Sequence, residues 1–358
     1  MLSPFILHFL PILFFLFFCT YFGKSRVIHP ISMFVVLFFV ATTALAISFY
    51  PEELNYDKPR YTNSYFTALH NVFVNTEYKD IGWPYYIFFC SRLFGSNVDL
   101  YYLFTATIYI GGYFIFAWHF FPKKLIGYFI VFSAGCLGFT AYGVNTIRAG
   151  VALSLLLICI TLYDSKVLKL RVFSLLFALL AILIHKSMII PLTGYVISIY
   201  IKNMKWILTT WFFCFFLSAV NFDLSELFEY IGFVDERVES YIEGADEFSS
   251  YKSGFRIDFI IYSLIPMLFS WYYIKKKHIV NDFFLHIVRT YLLSNAVWLL
   301  AIRIHYTDRL AYLSWFLIPI ILLQPVCNSQ INFKSPQNMV LFAMLVFMSL
   351  PLLLFVRS

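Results

Sequence analysis

The sequence predicts an all-α integral membrane protein, a polytopic bundle of about twelve transmembrane helices with two longer outer-face loops. Three observations carry that expectation. Of 358 residues, 61% are hydrophobic and only 13% are charged, against roughly 25% charged in a water-soluble domain. The apolar residues come in long runs, near the roughly 20 residues a helix needs to cross a bilayer. The connections between runs alternate in charge, as loops on opposite faces of a membrane do.

Taken in order, the apolar stretches fall at about 2–22, 31–50, 98–120, 125–142, 146–163, 170–184, 187–201, 206–220, 255–274, 283–302, 307–325 and 338–356. The opening run, LSPFILHFLPILFFLFFCTYF, has no positive n-region and no small-residue cleavage site, and reads as a retained first helix rather than a signal peptide. The segment WPYYIFFCSRLFG (83–95) is too short to span. It reads as re-entrant or interfacial, and Trp83 with its neighbouring tyrosines suits an interface. A single transmembrane domain over 1–358 is expected, with 51–97 and 221–254 as its outer loops. The second of these is acidic and partly amphipathic, either a solvated loop or a helix lying on the outer surface. There is no glycine–serine linker, low-complexity tract or internal repeat.

The charges orient the chain. One set of connections holds Lys24, Arg26, Lys123, Lys124, Lys166, Lys169, Arg171, Lys202, Lys205, Lys275, Lys276, Lys277 and Lys334, against only Asp164 and Asp282. The other set holds the remaining seventeen of nineteen acids. The positive-inside rule makes the first set cytoplasmic, which puts both termini and both long loops outside. The net charge of +7 belongs to this pattern and is no sign of nucleic acid. Cys19, Cys90, Cys136, Cys159, Cys214 and Cys327 all lie in or beside apolar runs without metal-like spacing, and read as small packing residues.

The residues that are costly in lipid collect at one face. Arg148 opens a span at its outer end, one turn from Asn145. His185 and Lys186 close another, Arg256 opens a third, and Arg303, His305, Asp308 and Arg309 fill a short outer turn. Arg60 lies in the first long loop. An arginine deep in hydrocarbon costs about 2.5–3.5 kcal/mol on insertion scales and less near the interface, where it snorkels. Each alone is therefore explained as an interfacial anchor. Collectively they say more. Of the thirteen cytoplasmic cations eleven are lysines, whereas the outer face favours arginine. Orientation needs only charge, while arginine adds a planar fork that grips phosphate through two bonds. The outer face thus suits an anion such as a pyrophosphate.

In HYTDRLAY, His305, Asp308, Arg309 and Tyr312 fall at helical spacing on one face. Asp308 is placed either to orient the arginine or histidine beside it or simply to start a helix, where its charge suits the dipole. His185, at the polar edge of AILIHKSMIIPL, is the best general-base candidate, because imidazole titrates near neutrality; an interfacial hydrogen-bonding role is the alternative. Arg289 lies in the cytoplasmic half of its run with Asp282 two turns earlier as a candidate partner. No Walker A loop, dinucleotide fingerprint, zinc-protease helix or nucleophile elbow is present in the sequence, so no cofactor and no metal is expected.

At these residues the sequence resembles the EpsG family. NTIRAGVALSLLL, followed after a basic connection by FALLAILIHKSMIIPL, is similar to that family's paired Asn-x-x-Arg and late-histidine stretches. YDKPRYTNSY with DIGWPYYIFFCSRLFG, and later YKSGFRIDFIIYSLIPM and YTDRLAYLSWFLIPIILL, resemble its other regions, so the likeness runs over roughly 50–325. The family more often has glutamine after the arginine, where this chain has Ala149, so no essential role is expected at that position. The resemblance implies a bacterial inner-membrane, Wzy-like polysaccharide polymerase acting on undecaprenyl-pyrophosphate-linked repeat units at the periplasmic side. Its partners would be lipid-linked oligosaccharide, membrane lipids and a chain-length regulator, with no nucleic acid. On that footing Arg148 and Arg309 are assigned to the donor pyrophosphate, Asn145, Arg60, Arg256, Arg303 and His305 to substrate binding, and His185 to the base, with His305 and Asp308 in reserve. Trp83, Tyr85 and Tyr86 are candidates to stack on sugars or to anchor at the interface. The rivals are a polyprenyl-monophosphate-sugar transferase using Glu52, Glu53 or Asp57, a lipid-linked-sugar flippase, and a membrane acyltransferase.

Overall fold

The computed structural model describes residues 2–22, 30–55, 57–74, 80–222, 224, 254–278, 281–304, 307–327 and 336–357. Among the described residues all regular structure is helical. Along the chain the helices are α1 (Leu2–Phe22), α2 (Met33–Ser48), α3 (Lys58–His70), α4 (Gly82–Phe94), α5 (Val98–Phe120), α6 (Lys123–Gly135), α7 (Phe139–Val144), α8 (Ile147–Tyr163), α9 (Leu168–Ile184), α10 (Ile189–Tyr200), α11 (Met204–Ala219), α12 (Ile257–Lys276), α13 (Asp282–Leu299), α14 (Asp308–Trp315), α15 (Ile318–Leu323) and α16 (Pro336–Arg357). Short 3-10 turns lie at Glu52–Leu54, Lys186–Met188 and Gln324–Cys327.

Every apolar run expected from the sequence is helical, and most boundaries fall within a few residues of expectation. Among the described residues three helical stretches are long and apolar enough to cross a membrane: Val98–Phe120, Ile257–Lys276 and the nearly continuous Asp308–Cys327. Shorter apolar helices lie at Ile6–Tyr21, Met33–Ser48, Ile147–Tyr163, Met204–Ala219 and Pro336–Ser349. The run expected at 125–142 is interrupted: α6 ends at Gly135, Gly138 takes a left-handed φ of 93°, and α7 restarts the helix. Only glycine adopts that backbone without a Cβ penalty.

Asparagine sets several helix starts. Asn97, Asn203 and Asn281 accept from the amides of Leu100, Lys205 and Phe284 at 3.1, 3.0 and 3.1 Å. Each satisfies one of the amides that a helix N-terminus leaves without a carbonyl partner.

The chain divides into two compact units, Met1–Met188 with Val326–Ser358, and Ile189–Pro325. In the first, α8 packs against α5 and α9, while α1 packs against α2, α6 and α16. The α5–α8 contact is close enough that a Cβ on Gly112 would lie 2.3 Å from Ser154 Oγ. That hydroxyl donates to Ile108 O at 2.6 Å.

The 51–97 segment belongs to this unit and carries α3 and α4 packed on each other. With 13 residues, α4 is about 20 Å long, short of the ~30 Å hydrocarbon core. Its buried side is Trp83, Ile87, Cys90 and Ser91, and Tyr85, Phe89 and Leu93 are exposed. Trp83 is therefore not an interface anchor: it is 1% exposed, edge-on to Tyr61 and stacked on Tyr86. Tyr86 is partly exposed and bonds Thr105 Oγ1 at 2.8 Å, so of the three aromatics considered for sugar stacking Tyr85, 52% exposed, offers the most surface.

In the second unit α13 is the central element, contacting α10, α11 and α14. Its interior holds a polar network around Asn295. Trp211 Nε1 donates to Asn295 Oδ1 at 2.9 Å, and Asn295 Nδ2 donates to Ser263 Oγ and Ser314 Oγ at 3.1 and 3.0 Å. Trp315 Nε1 also donates to Ser263 Oγ, at 2.8 Å. Buried polar groups need such partners, because an unpaired one costs several kcal/mol in an apolar medium.

Arg289, on the same helix, does not make the expected ion pair with Asp282. Its Nη2 donates to Lys202 O at 2.8 Å, just past the end of α10, and its Nη1 to Ser198 O at 3.4 Å, one of the carbonyls that the last turn of α10 leaves open. The 221–254 loop lies outside the described residues except for Asn221, Phe222, Leu224 and Gly254.

Candidate functional site

Arg148 is the second residue of α8, whose N-cap is Thr146. The amides at a helix start carry partial positive charge, so a cation there is disfavoured unless an anion answers it. Asp80 answers it. Its Oδ2 accepts from Arg148 Nη1 at 2.8 Å.

The same oxygen lies 3.2 Å from His185 Nδ1, and Oδ1 accepts from the Lys186 amide at 3.1 Å. Asp80 precedes α4, while His185 is the C-cap of α9, in extended backbone with φ −155°. Three distant parts of the chain therefore meet at one carboxylate. The side chain of Asp80 is 5% exposed, that of Arg148 16% and that of His185 24%, so the acid is enclosed and both of its side-chain partners reach the surface.

Close packing fixes this meeting. A Cβ on Gly82 would lie 2.9 Å from Leu183 C and O, so α4 starts directly against the backbone of α9. On the other side, a Cβ on Gly150 would lie 2.4 Å from Tyr142 O, which seats the first turn of α8 on α7. Asn55 ties in the preceding segment by donating to Val144 O at 2.9 Å while its Oδ1 accepts from the Asp57 and Lys58 amides. Lys58 is buried, with Nζ donating to Ser48 O at 3.1 Å and Tyr50 O at 2.6 Å beside the Tyr102 ring. Burial pushes its ammonium below the usual lysine range, against the pull of Glu52, Asp99 and Glu53.

The electrostatics of Asp80 follow from its partners. Burial alone would raise its carboxyl. The hydrogen bond from His185, then the charges of His185 and Arg148 and the Lys186 amide, outweigh burial and hold it below the ordinary carboxylate range. An ionised carboxylate only accepts hydrogen bonds. His185 Nδ1 must then carry the proton facing Asp80, which leaves Nε2 with its lone pair whenever the ring is neutral.

The other residues expected at the site divide between the units. In the first, Asn145 is exposed at the C-cap of α7 and Arg60 is exposed on α3. In the second, Arg256 forms an ion pair with Asp258 at 2.6 Å and lies 3.6 Å over the Phe259 ring. Arg303 donates to Ser218 O at 3.3 Å and to Asn221 Oδ1 at 2.5 Å. Asp308 starts α14 and accepts from Tyr312 OH at 2.8 Å, which realises one of the helical spacings of HYTDRLAY. Arg309, next along, is half-buried. His305 lies outside the described residues. Of the acids offered for a monophosphate-sugar transferase, Glu52 accepts from Thr62 Oγ1 at 3.0 Å, Glu53 is exposed and Asp57 is buried.

Asp80 is the residue that sequence reasoning missed. DIGWP carried it in plain view, but its partners stand 68 and 105 positions away. The usable signal was an acid two residues before a glycine at a helix start. Such a glycine permits backbone contact, and an acid there can reach whatever the helix is pressed against.

Apolar helices make up the regular structure among the described residues, and a buried carboxylate gathers an arginine and a histidine at their ends; the class this defines is a helical membrane protein. The chain belongs to the EpsG family, whose profile matches residues 33–358, and this is a Wzy-like polysaccharide polymerase family. The match extends beyond the 50–325 region of resemblance at both ends. No curated protein and no solved structure matches it.

Proposed function

We propose that the protein joins undecaprenyl-pyrophosphate-linked repeat units at the outer face of the bacterial inner membrane, moving a growing glycan from one lipid carrier onto the terminal sugar of another. On this reading about twelve spans hold the chain, both termini face outward, and the site around Asp80 opens to the periplasm. The observation that supports it is the placement of Arg148 and His185 side by side on one buried carboxylate, inside a chain of a polymerase family.

In this reaction the acceptor hydroxyl attacks the anomeric carbon of the donor sugar. The bond from that carbon to the pyrophosphate oxygen breaks, and the hydroxyl proton passes to His185 Nε2. Charge builds on the departing pyrophosphate, where the fork of Arg148 is preorganised to offset it. One base and no nucleophile correspond to direct displacement with inversion. Arginine supplies the electrostatic stabilisation here without calling on a metal. The Asp80 arrangement favours this reading over a monophosphate-sugar transferase built on Glu52, Glu53 or Asp57, because it joins a base to an anion-binding group.

The test is to incubate the purified protein with lipid-linked repeat units alone and resolve the products by length. A ladder from the wild type that collapses in folded, inserted Arg148→Ala supports the proposal. No ladder from folded wild type given its native repeat unit overturns it.

A further inference from the structure

The geometry points to Asp80 as a positioning residue that holds His185 in the Nδ1–H tautomer, so that Nε2 is the basic nitrogen offered to substrate. The inference rests on the proposed polymerase reading for its chemistry but on geometry for its substance. A neutral imidazole carries one proton on either of two nitrogens, and the hydrogen bond made by one decides the role of the other. Here Nδ1 faces Asp80 Oδ2 at 3.2 Å. Asp80 cannot turn away, since Arg148 Nη1 and the Lys186 amide hold its two oxygens at 2.8 and 3.1 Å. His185 cannot swing freely either. It caps α9, with its own amide donating to Ala181 O at 3.0 Å, and the neighbouring residue Lys186 supplies the amide that grips Asp80.

The carboxylate also gives the imidazolium a counter-charge once the ring has taken the acceptor's proton, so it acts through His185 and touches no substrate. Among the described residues, the charged groups that the contacts place about the imidazole are Asp80 and, on the same carboxylate, Arg148, with Lys186 adjacent in the chain. Only Asp80 is anionic among these three.

Two measurements separate this inference from the polymerase reading. The first needs no activity: the nitrogen resonances of ring-labelled histidine in membrane-embedded protein, with His185→Ala assigning the signal. The expected result is an Nδ1-protonated, Nε2-unprotonated ring in the neutral wild type, and loss of that preference in Asp80→Asn. An Nε2-protonated ring in the wild type overturns the inference. The second is the pH dependence of polymerisation. Asp80→Asn is expected to lower turnover at least about a hundredfold, the usual scale of general-base assistance. It should also move the acid limb of the profile to lower pH, because the imidazolium loses its anionic partner. Asp80→Glu, which keeps the charge, should restore part of the rate. Turnover that falls with an unmoved acid limb marks Asp80 as merely structural and overturns the inference. If the wild type makes no polymer yet shows the Nδ1–H ring, the polymerase reading falls and the positioning role stands.

Discussion

Arg148 and His185 share a single acceptor atom, Oδ2 of Asp80, at 2.8 and 3.2 Å. Because the proposed pyrophosphate contact would use the guanidinium's shape while one of its nitrogens stays on Asp80, Arg148→Lys is expected to fail despite keeping the positive charge. A lysine offers a compact point charge on a flexible stem in place of a planar fork. Turnover of lipid-linked repeat units should fall at least about tenfold, a loss of ~1.4 kcal/mol of transition-state stabilisation. Wild-type turnover in Arg148→Lys would remove the fork from the mechanism.

Gly82 sets the distance between α4 and α9. The Gly82→Ala methyl would meet Leu183 backbone atoms at 2.9 Å, with no side-chain end to swing aside. The helices must separate by a few tenths of an ångström or more, lengthening both the Asp80–His185 and Asp80–Lys186 contacts. The expected outcome is a protein that inserts and purifies normally but polymerises at least about tenfold more slowly, since small misplacements at a reacting centre are costly. Product ladders beside a thermal melt in detergent check it.

Acid should reveal the Asp80 clamp. Its carboxyl is held below the ordinary range, so the folded value lies under the unfolded one. The stabilisation from this group is therefore full above the unfolded carboxylate value, near 3.9, and is lost as pH falls through the folded value. Melting temperatures of wild type and Asp80→Asn should differ most above about pH 5 and converge below that range. A gap that stays constant down to the lowest pH would mean the clamp is not carried by the ionised carboxylate.

Asn295 holds the second unit's polar interior together, so Asn295→Ala should destabilise that unit. The substitution strands Trp211 Nε1 and removes a donor from Ser263 and Ser314. A buried polar group left without its partner costs about 1–3 kcal/mol. Denaturant titration in mixed micelles should register a loss of that order, and Asn295→Asp, which keeps the acceptor for the indole, should not restore it because it removes the two amide donations.

For Arg289, capping and ion pairing make opposite forecasts. Its donors go to Ser198 O and Lys202 O, and Asp282 acts on it only through space. Arg289→Met should therefore destabilise the protein by about 1–3 kcal/mol, while Asp282→Asn should change stability by less than about 1 kcal/mol. Equal losses in the two variants would restore the ion pair expected from sequence.

The helices were legible because long apolar runs and asparagine starts are local signals. Val98–Phe120 coincides with the expected stretch, and Asn97 announces its first turn. Breaks were less legible. Nothing in the hydropathy of 125–142 distinguishes Gly138 from Gly135, yet only Gly138 takes the left-handed backbone that ends one helix and begins the next. At the site, residue type and topology were enough to single out Arg148 and His185. They were not enough to find Asp80, because it lies among many loop acids and its role comes from contacts made across the chain. The same limit explains Trp83, whose residue type suits an interface but whose place between Tyr61 and Tyr86 is a tertiary fact.

The backbone contact at Gly82 also has a genetic meaning. A glycine codon becomes an alanine codon by one base change, among the mildest substitutions by chemistry. At position 82 that change would press on the Leu183 backbone, two residues before His185, and so strain the Asp80–His185 and Asp80–Lys186 contacts while leaving the apolar runs intact. On the proposed reading, single-base steps at this codon would switch chain growth off and on again.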